Sequence, residues 1–145
     1  MKNSSLTLVN YQFTKLSCIW KDGKNTKTNH GNMLIDYDVF RNNANPLLFR
    51  LDLKVSIDPE KDDAGMKIDT CIVGFFQFDE GTPEDEMHTL VRINGISILY
   101  STLRGHISVL TSNFPSGCTL LPSIIVKDVV DTIESKRQEK TEKDK

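Results

Sequence analysis

Residues 92–122, RINGISILYSTLRGHISVLTSNFPSGCTLLP, decide how this chain folds. Ile93, Ile96, Tyr100, Leu103, Ile107 and Leu110 recur at steps of 3, 4, 3, 4 and 3, which puts them on one stripe of an α-helix. Asn94 or Ser97 could open that helix. Asn113 before Phe114-Pro115 closes it, because proline cannot continue a helix and holds the preceding residue extended. The next stretch, SGCTLLP, is apolar yet barred from helix until past Pro122. Loops are normally polar and exposed. A greasy irregular segment behind a long helix therefore has two readings: a buried connection between helices, or a wall offering apolar side chains to a partner.

Upstream of the helix the pattern changes to a period of two. Leu47, Phe49, Leu51, Leu53, Val55 and Ile57 alternate with Leu48, Arg50, Asp52, Lys54, Ser56 and Asp58, as in a strand with one face on a core and one in water. The run Asp58-Pro59 to Gly65 turns the chain, and Met66 to Asp79 returns as a strand. In it Ile68, Ile72, Phe76 and Phe78 share a face with Gly74, a residue that marks a bulge or a close backbone approach. Leu6 to Trp20 is a third strand that changes phase. Val9, Tyr11 and Phe13 hold one parity, Leu16, Cys18 and Trp20 the other, so a β-bulge is expected near Thr14-Lys15. Between these strands, residues 21–32 form a polar loop with turn signals at Asp22-Gly23 and His30-Gly31. Met33 to Phe40 reads as an extended crossover segment with irregular edge pairing.

After the strands come helices. Thr82-Pro83-Glu84-Asp85 has a hydroxyl N-cap, a proline at the first helical position and acids in the first turn. It predicts a short helix to about Arg92, broken from the long one at Asn94-Gly95. A last helix is expected from about Ser123, carrying Ile125, Val126, Val129, Val130 and Ile133. Residues 134–145 hold no apolar side chain and read as a solvated helix end or a disordered tail, of which their composition favours the tail. Strands first and helices last give an α+β fold with an antiparallel sheet, as one domain over residues 1–133.

Composition narrows the function. The 145 residues carry 18 basic and 20 acidic side chains, a formal charge of −2, and no basic stripe with interleaved aromatics, so nucleic acid is not the expected partner. No run approaches the roughly 18 apolar residues of a membrane helix. The N-terminus MKNSSLTLVN lacks a signal-peptide apolar region, so the expected compartment is the cytoplasm. Cys18, Cys71 and Cys118 are odd in number and widely spaced, as suits reduced thiols. His30, His88 and His106 stand in separate contexts, outside metal-ligand spacing of one another or of a cysteine. With no phosphate loop and no nucleophile elbow either, neither an enzyme nor a cofactor or metal is expected.

The residues from Gly95 to Pro122 resemble the bacterial protein-export chaperone SecB. The family reads N-I-L-F-P-Y-A-R-E-C-I in its long helix and F-P-x-L-x-L-x-P after it. Arg104, Ile107, Phe114, Pro115 and Pro122 match best. Phe13-Thr14-Lys15 is similar to the family's Y-T-K, and Gly74-Phe75-Phe76-Gln77-Phe78 to its G-I-F-S-I, so the resemblance spans about Leu6 to Val130 in order.

The resemblance implies a four-stranded antiparallel sheet with a crossover segment, packed on two C-terminal helices and assembled as a homotetramer, a dimer of dimers. It implies an ATP-independent holdase that binds unfolded polypeptides, as preproteins for export or, alternatively, an antitoxin of a toxin–antitoxin system. The implied client groove comprises Leu34, Ile35, Tyr37, Val39 and Phe40 of the crossover segment, Phe76 and Phe78 of the strand wall, and Phe114, Leu120 and Leu121 of the connection. Tyr100, Leu103, Arg104 and Ile107 fall at the implied oligomer interface. Asp69 matches an acid that docks the SecA translocation motor, while two acidic positions of the first strand are apolar here. A competing reading is a hotdog-type thioesterase or dehydratase. That fold places its helix ahead of most strands and needs a catalytic acid beside it, and residues 93–112 hold no Asp or Glu.

Overall fold

The computed structural model describes residues 4–24 and 32–144. Four strands, β1 (Leu6–Lys21), β2 (Asn32–Arg41), β3 (Leu48–Asp58) and β4 (Gly65–Phe78), precede two helices, α1 (Glu84–Leu110) and α2 (Val126–Lys143). All neighbouring pairs are antiparallel and the spatial order is β1-β4-β3-β2. This is the α+β architecture expected from the order of strands and helices.

The period-two strand behaves as its pattern requires. Phe49, Leu51, Leu53, Val55 and Ile57 are buried under α1, beside Ile68, Ile72, Phe76 and Phe78 of β4. β1 holds most of its apolar residues, Val9 and Ile19 excepted, on that same face by two irregularities. The register shifts between Phe13 and Lys15, where the phase change predicts a bulge, and again between Leu8 and Asn10. Each extra residue re-aims those that follow, so Leu6, Leu8, Tyr11, Phe13, Leu16, Cys18 and Trp20 all oppose even-numbered residues of β4.

Three expectations are corrected. Met33 to Phe40 is no irregular crossover: β2 pairs residue for residue with β3, from Asn32 opposite Asp58 to Arg41 opposite Phe49. Its turn is held by Asn42, whose Oδ1 accepts from the amides of Ala44 and Asn45 at 2.8 and 2.9 Å, a side-chain mimic of a backbone turn. Second, α1 is one continuous helix of 27 residues with no break at Asn94-Gly95. A Cβ at Gly95 would come within 3.0 Å of Leu51 Cδ2, so this glycine serves the close approach of helix and sheet. Pro83, not Thr82, holds the N-cap position, and Thr82 Oγ1 donates to the carbonyl of Asp79 at 2.7 Å. Third, α2 continues as helix through residues 134–143, which composition predicts as a disordered tail. Side-chain bonds to β2 anchor that half and offset its lack of apolar surface. The turn at His30-Gly31 lies outside the described residues.

Candidate functional site

α1 lies over β3, β4 and β1 and touches edge strand β2 through Arg41 with Glu84 and Tyr100 with Met33, while α2 packs on the middle of β2 at Tyr37. On the inner face of β2 Met33, Ile35 and Val39 are half-buried and Tyr37 is closed off. The Tyr37 hydroxyl donates to Glu134 of α2. Arg137, one turn further along, donates to the Tyr37 carbonyl and stacks its guanidinium 5.0 Å from the ring centroid. The same side chain bonds Asp36 Oδ1 at 2.9 Å and lies 3.6 Å from Asp38. Burial first, then the hydrogen bond to the Glu134 carboxylate, pushes the Tyr37 hydroxyl up to about 12, because an anion there would face low dielectric and a neighbouring negative charge.

The connection after α1 is built, not loose. Thr111 is fully buried at the helix C-cap; its hydroxyl donates to the Ile107 carbonyl at 2.7 Å and accepts from the Thr119 amide at 2.8 Å. Arg104 Nε donates to the Leu121 carbonyl at 2.9 Å, and the Tyr100 hydroxyl to the Pro122 carbonyl at 2.5 Å. Burial also raises the Tyr100 pKa. These bonds satisfy the backbone of an irregular segment lying against apolar surface. They seat Leu121 in the core while Leu120 points outward, 59% exposed.

The expected groove residues therefore divide. Tyr37, Phe76, Phe78 and Leu121 are core residues with at most 1% exposure and present no groove wall in this chain. Leu34 and Phe40 lie on the opposite side of the sheet from Ile35 and Val39, because side chains alternate along a strand. Ile35, Val39, Phe114 and Leu120 remain on the helix side with some surface free. Tyr100, Leu103 and Ile107, expected at an oligomer seam, are buried within the chain, and Arg104 is half-buried holding the connection. Asp69 stands on the outer sheet face, paired with Lys15 at 2.5 Å.

Other exposed apolar residues escape a reading by motif. Val9 and Ile19 on edge strand β1, Val109 and Leu110 at the end of α1, and Ile125 before α2 are all largely exposed. Val9 sits at the unforeseen bulge, and its parity alone would have placed it inside. The clasp of Glu134 and Arg137 on β2 was equally hidden, although Val130, Ile133 and Arg137 keep a helical spacing that could have revealed the continuing helix. Among the described residues no cluster of three metal-ligating side chains occurs, and no helix is long and apolar enough to cross a membrane.

No family model matches the chain. The described fold superposes on the SecB-like chaperone Rv1957 of Mycobacterium tuberculosis, solved in complex with a ChAD peptide from the Rv1956 HigA1 antitoxin. The TM-score is 0.62 and the identity 13%, covering 83% of this chain and 91% of that one. In sequence the chain is 30% identical over 114 residues to the uncharacterized protein MJ0357 of Methanocaldococcus jannaschii, spanning 77% of this chain and 73% of the relative. The chain belongs to the same family as that Methanocaldococcus jannaschii protein, and it is built on the fold of a SecB-like chaperone.

Proposed function

We propose that this protein is an ATP-independent holdase that binds unfolded polypeptide segments on apolar surface left open beside its sheet. The observation that carries the reading is the fold shared with a SecB-like chaperone solved with a peptide bound. The exposed apolar side chains support it. Leu120, Ile125 and Phe114 on the connection, with Ile35 and Val39 on the inner edge of β2, offer non-directional binding that tolerates many client sequences. The edge of β2, away from Tyr37 whose amide and carbonyl are already bonded to Asp36 and Arg137, adds backbone donors and acceptors that an extended client could pair with.

An antitoxin is favoured over export preproteins as the client. The peptide on the structural neighbour comes from an antitoxin. Asp69, the acid that matches the motor-docking position, is paired with Lys15, and two acidic positions of the first strand are apolar here, so SecA is the less favoured partner. The protein is proposed to act in the cytoplasm as a homotetramer, with the exposed apolar edge of β1 as an assembly surface. The test is suppression of aggregation of a chemically unfolded client, without nucleotide. Dose-dependent protection near equimolar chaperone is expected; unchanged light scattering at several-fold excess would refute the reading.

A further inference from the structure

The outer face of the sheet carries a second candidate site. Two cross-strand rows, Asp36-Lys54-Cys71-Lys15 and Leu34-Ser56-Asp69, line a trough of about 600 Å³. The C-terminal half of α2 forms its side wall with Ile133, Lys136, Arg137 and Lys140. Five cationic side chains and two carboxylates line it, in a chain whose formal charge is −2. Both carboxylates are already taken: Asp69 pairs with Lys15 and Asp36 with Arg137. Among the described residues no ion pair involves Lys54, Lys136 or Lys140. Three ammonium groups thus share one concave surface outside any ion pair among the described residues, and the lining carries five cations against two carboxylates, beside Leu34 at 70% exposure.

We propose that this trough binds an acidic, aliphatic segment of polypeptide in extended conformation, an inference that rests on the holdase reading and names the chemistry of its client. Geometry selects an extended chain. Lys136 and Lys140 are one helical turn apart, about 5–6 Å between Cβ atoms. Carboxylates at alternate positions of a strand are spaced by about 6.6 Å, on one side of the segment. The intervening aliphatic side chains then point away from α2, towards the sheet side of the trough where Leu34 stands. A single-stranded nucleic acid fits less well, because it needs aromatic rings for base stacking and no aromatic residue lines the trough.

Fluorescence anisotropy with two labelled peptides tests this on the full chain. One is an aliphatic decapeptide with Glu at alternate positions; the other carries Lys at the same positions. The acidic peptide should bind about ten-fold more tightly at low salt, as a few exposed ion pairs together provide, and the preference should fade with added salt. Lys136→Glu with Lys140→Glu should abolish or invert it, and these helix positions are exposed, so circular dichroism should be unchanged. Equal affinity for the two peptides, a preference indifferent to the double substitution, or full displacement by millimolar inorganic phosphate would overturn the proposal. The aggregation assay reads the holdase proposal separately: protection without charge preference refutes only the acidic client, and charge preference without protection refutes only the holdase.

Discussion

Leu99 of α1 occupies the space in which a side chain at Gly74 of β4 would stand: a Cβ there would lie 2.7 Å from Leu99 Cδ2 and 2.8 Å from Phe76 Cε2. The helix settles into the sheet at this point, and Gly95 of α1 makes the reciprocal approach, 3.0 Å from Leu51 Cδ2. Leu51, Phe76, Ile96 and Leu99 have no solvent exposure, and each such side chain contributes roughly 1.5–3 kcal/mol by leaving water.

Gly74→Ala should therefore destabilise, because two fully buried neighbours must move; overpacking of this kind costs about 1–3 kcal/mol. Gly95→Ala should be milder, since alanine gains up to about 1 kcal/mol of helix propensity against a tight but yielding contact. Urea unfolding of both variants checks the order. A Gly74→Ala protein as stable as the parent would contradict the packing described.

Adjacent leucines of the connection should respond oppositely. Leu121 is buried and Leu120 is exposed. Leu121→Ser should cost about 2–5 kcal/mol, as a cavity lined with apolar groups and an added hydroxyl imply. Leu120→Ser should leave the unfolding midpoint within experimental error. On the holdase reading, Leu120→Ser combined with Phe114→Ser should instead weaken protection of an unfolded client, measured by light scattering.

The clasp of α2 on β2 should loosen when its donor is removed. Arg137→Ala takes away the bonds to the Tyr37 carbonyl and to Asp36. Amide hydrogen exchange in residues 134–143 should accelerate while that of β3 and β4 stays unchanged. Equal protection in both proteins would mean that the charged half of α2 is held by something else.

Alkali should act at the same clasp. Tyr37 is raised from 10.0 to about 12 in the folded chain. A group whose folded pKa exceeds its unfolded one contributes stability that is fully present below the unfolded value and lost as pH rises through the folded one. Unfolding midpoints should thus fall between about pH 10 and pH 12. Tyr37→Phe should flatten that fall, at the expense of the Glu134 hydrogen bond at every pH. Parallel pH profiles for the two proteins would count against the assignment.

Assembly can be read from mass. Lys in place of Val9 and Ile19 puts charge on the exposed apolar edge of β1, the usual way edge strands are kept from pairing. Light scattering should show the parent as a tetramer and the double variant as a smaller species. A parent that is monomeric at micromolar concentration would refute the proposed assembly.

Sequence alone determined what depends on local periodicity. Alternation from Leu47 to Ile57, the phase change at Thr14 and the stripe from Ile96 to Ile107 each report a face directly, because strands and helices repeat every two and 3.6 residues. Those signals sufficed for the antiparallel sheet and for the long helix. Tertiary structure decided everything that depends on what a face meets. Gly95 reads as a helix breaker until Leu51 is seen beneath it. Residues 134–143 read as a tail until Glu134 and Arg137 are seen on Tyr37. Tyr37 and Leu121 read as groove walls until their neighbours bury them. Apolar character says that a residue leaves water; only the packing says whether the chain itself or a partner receives it.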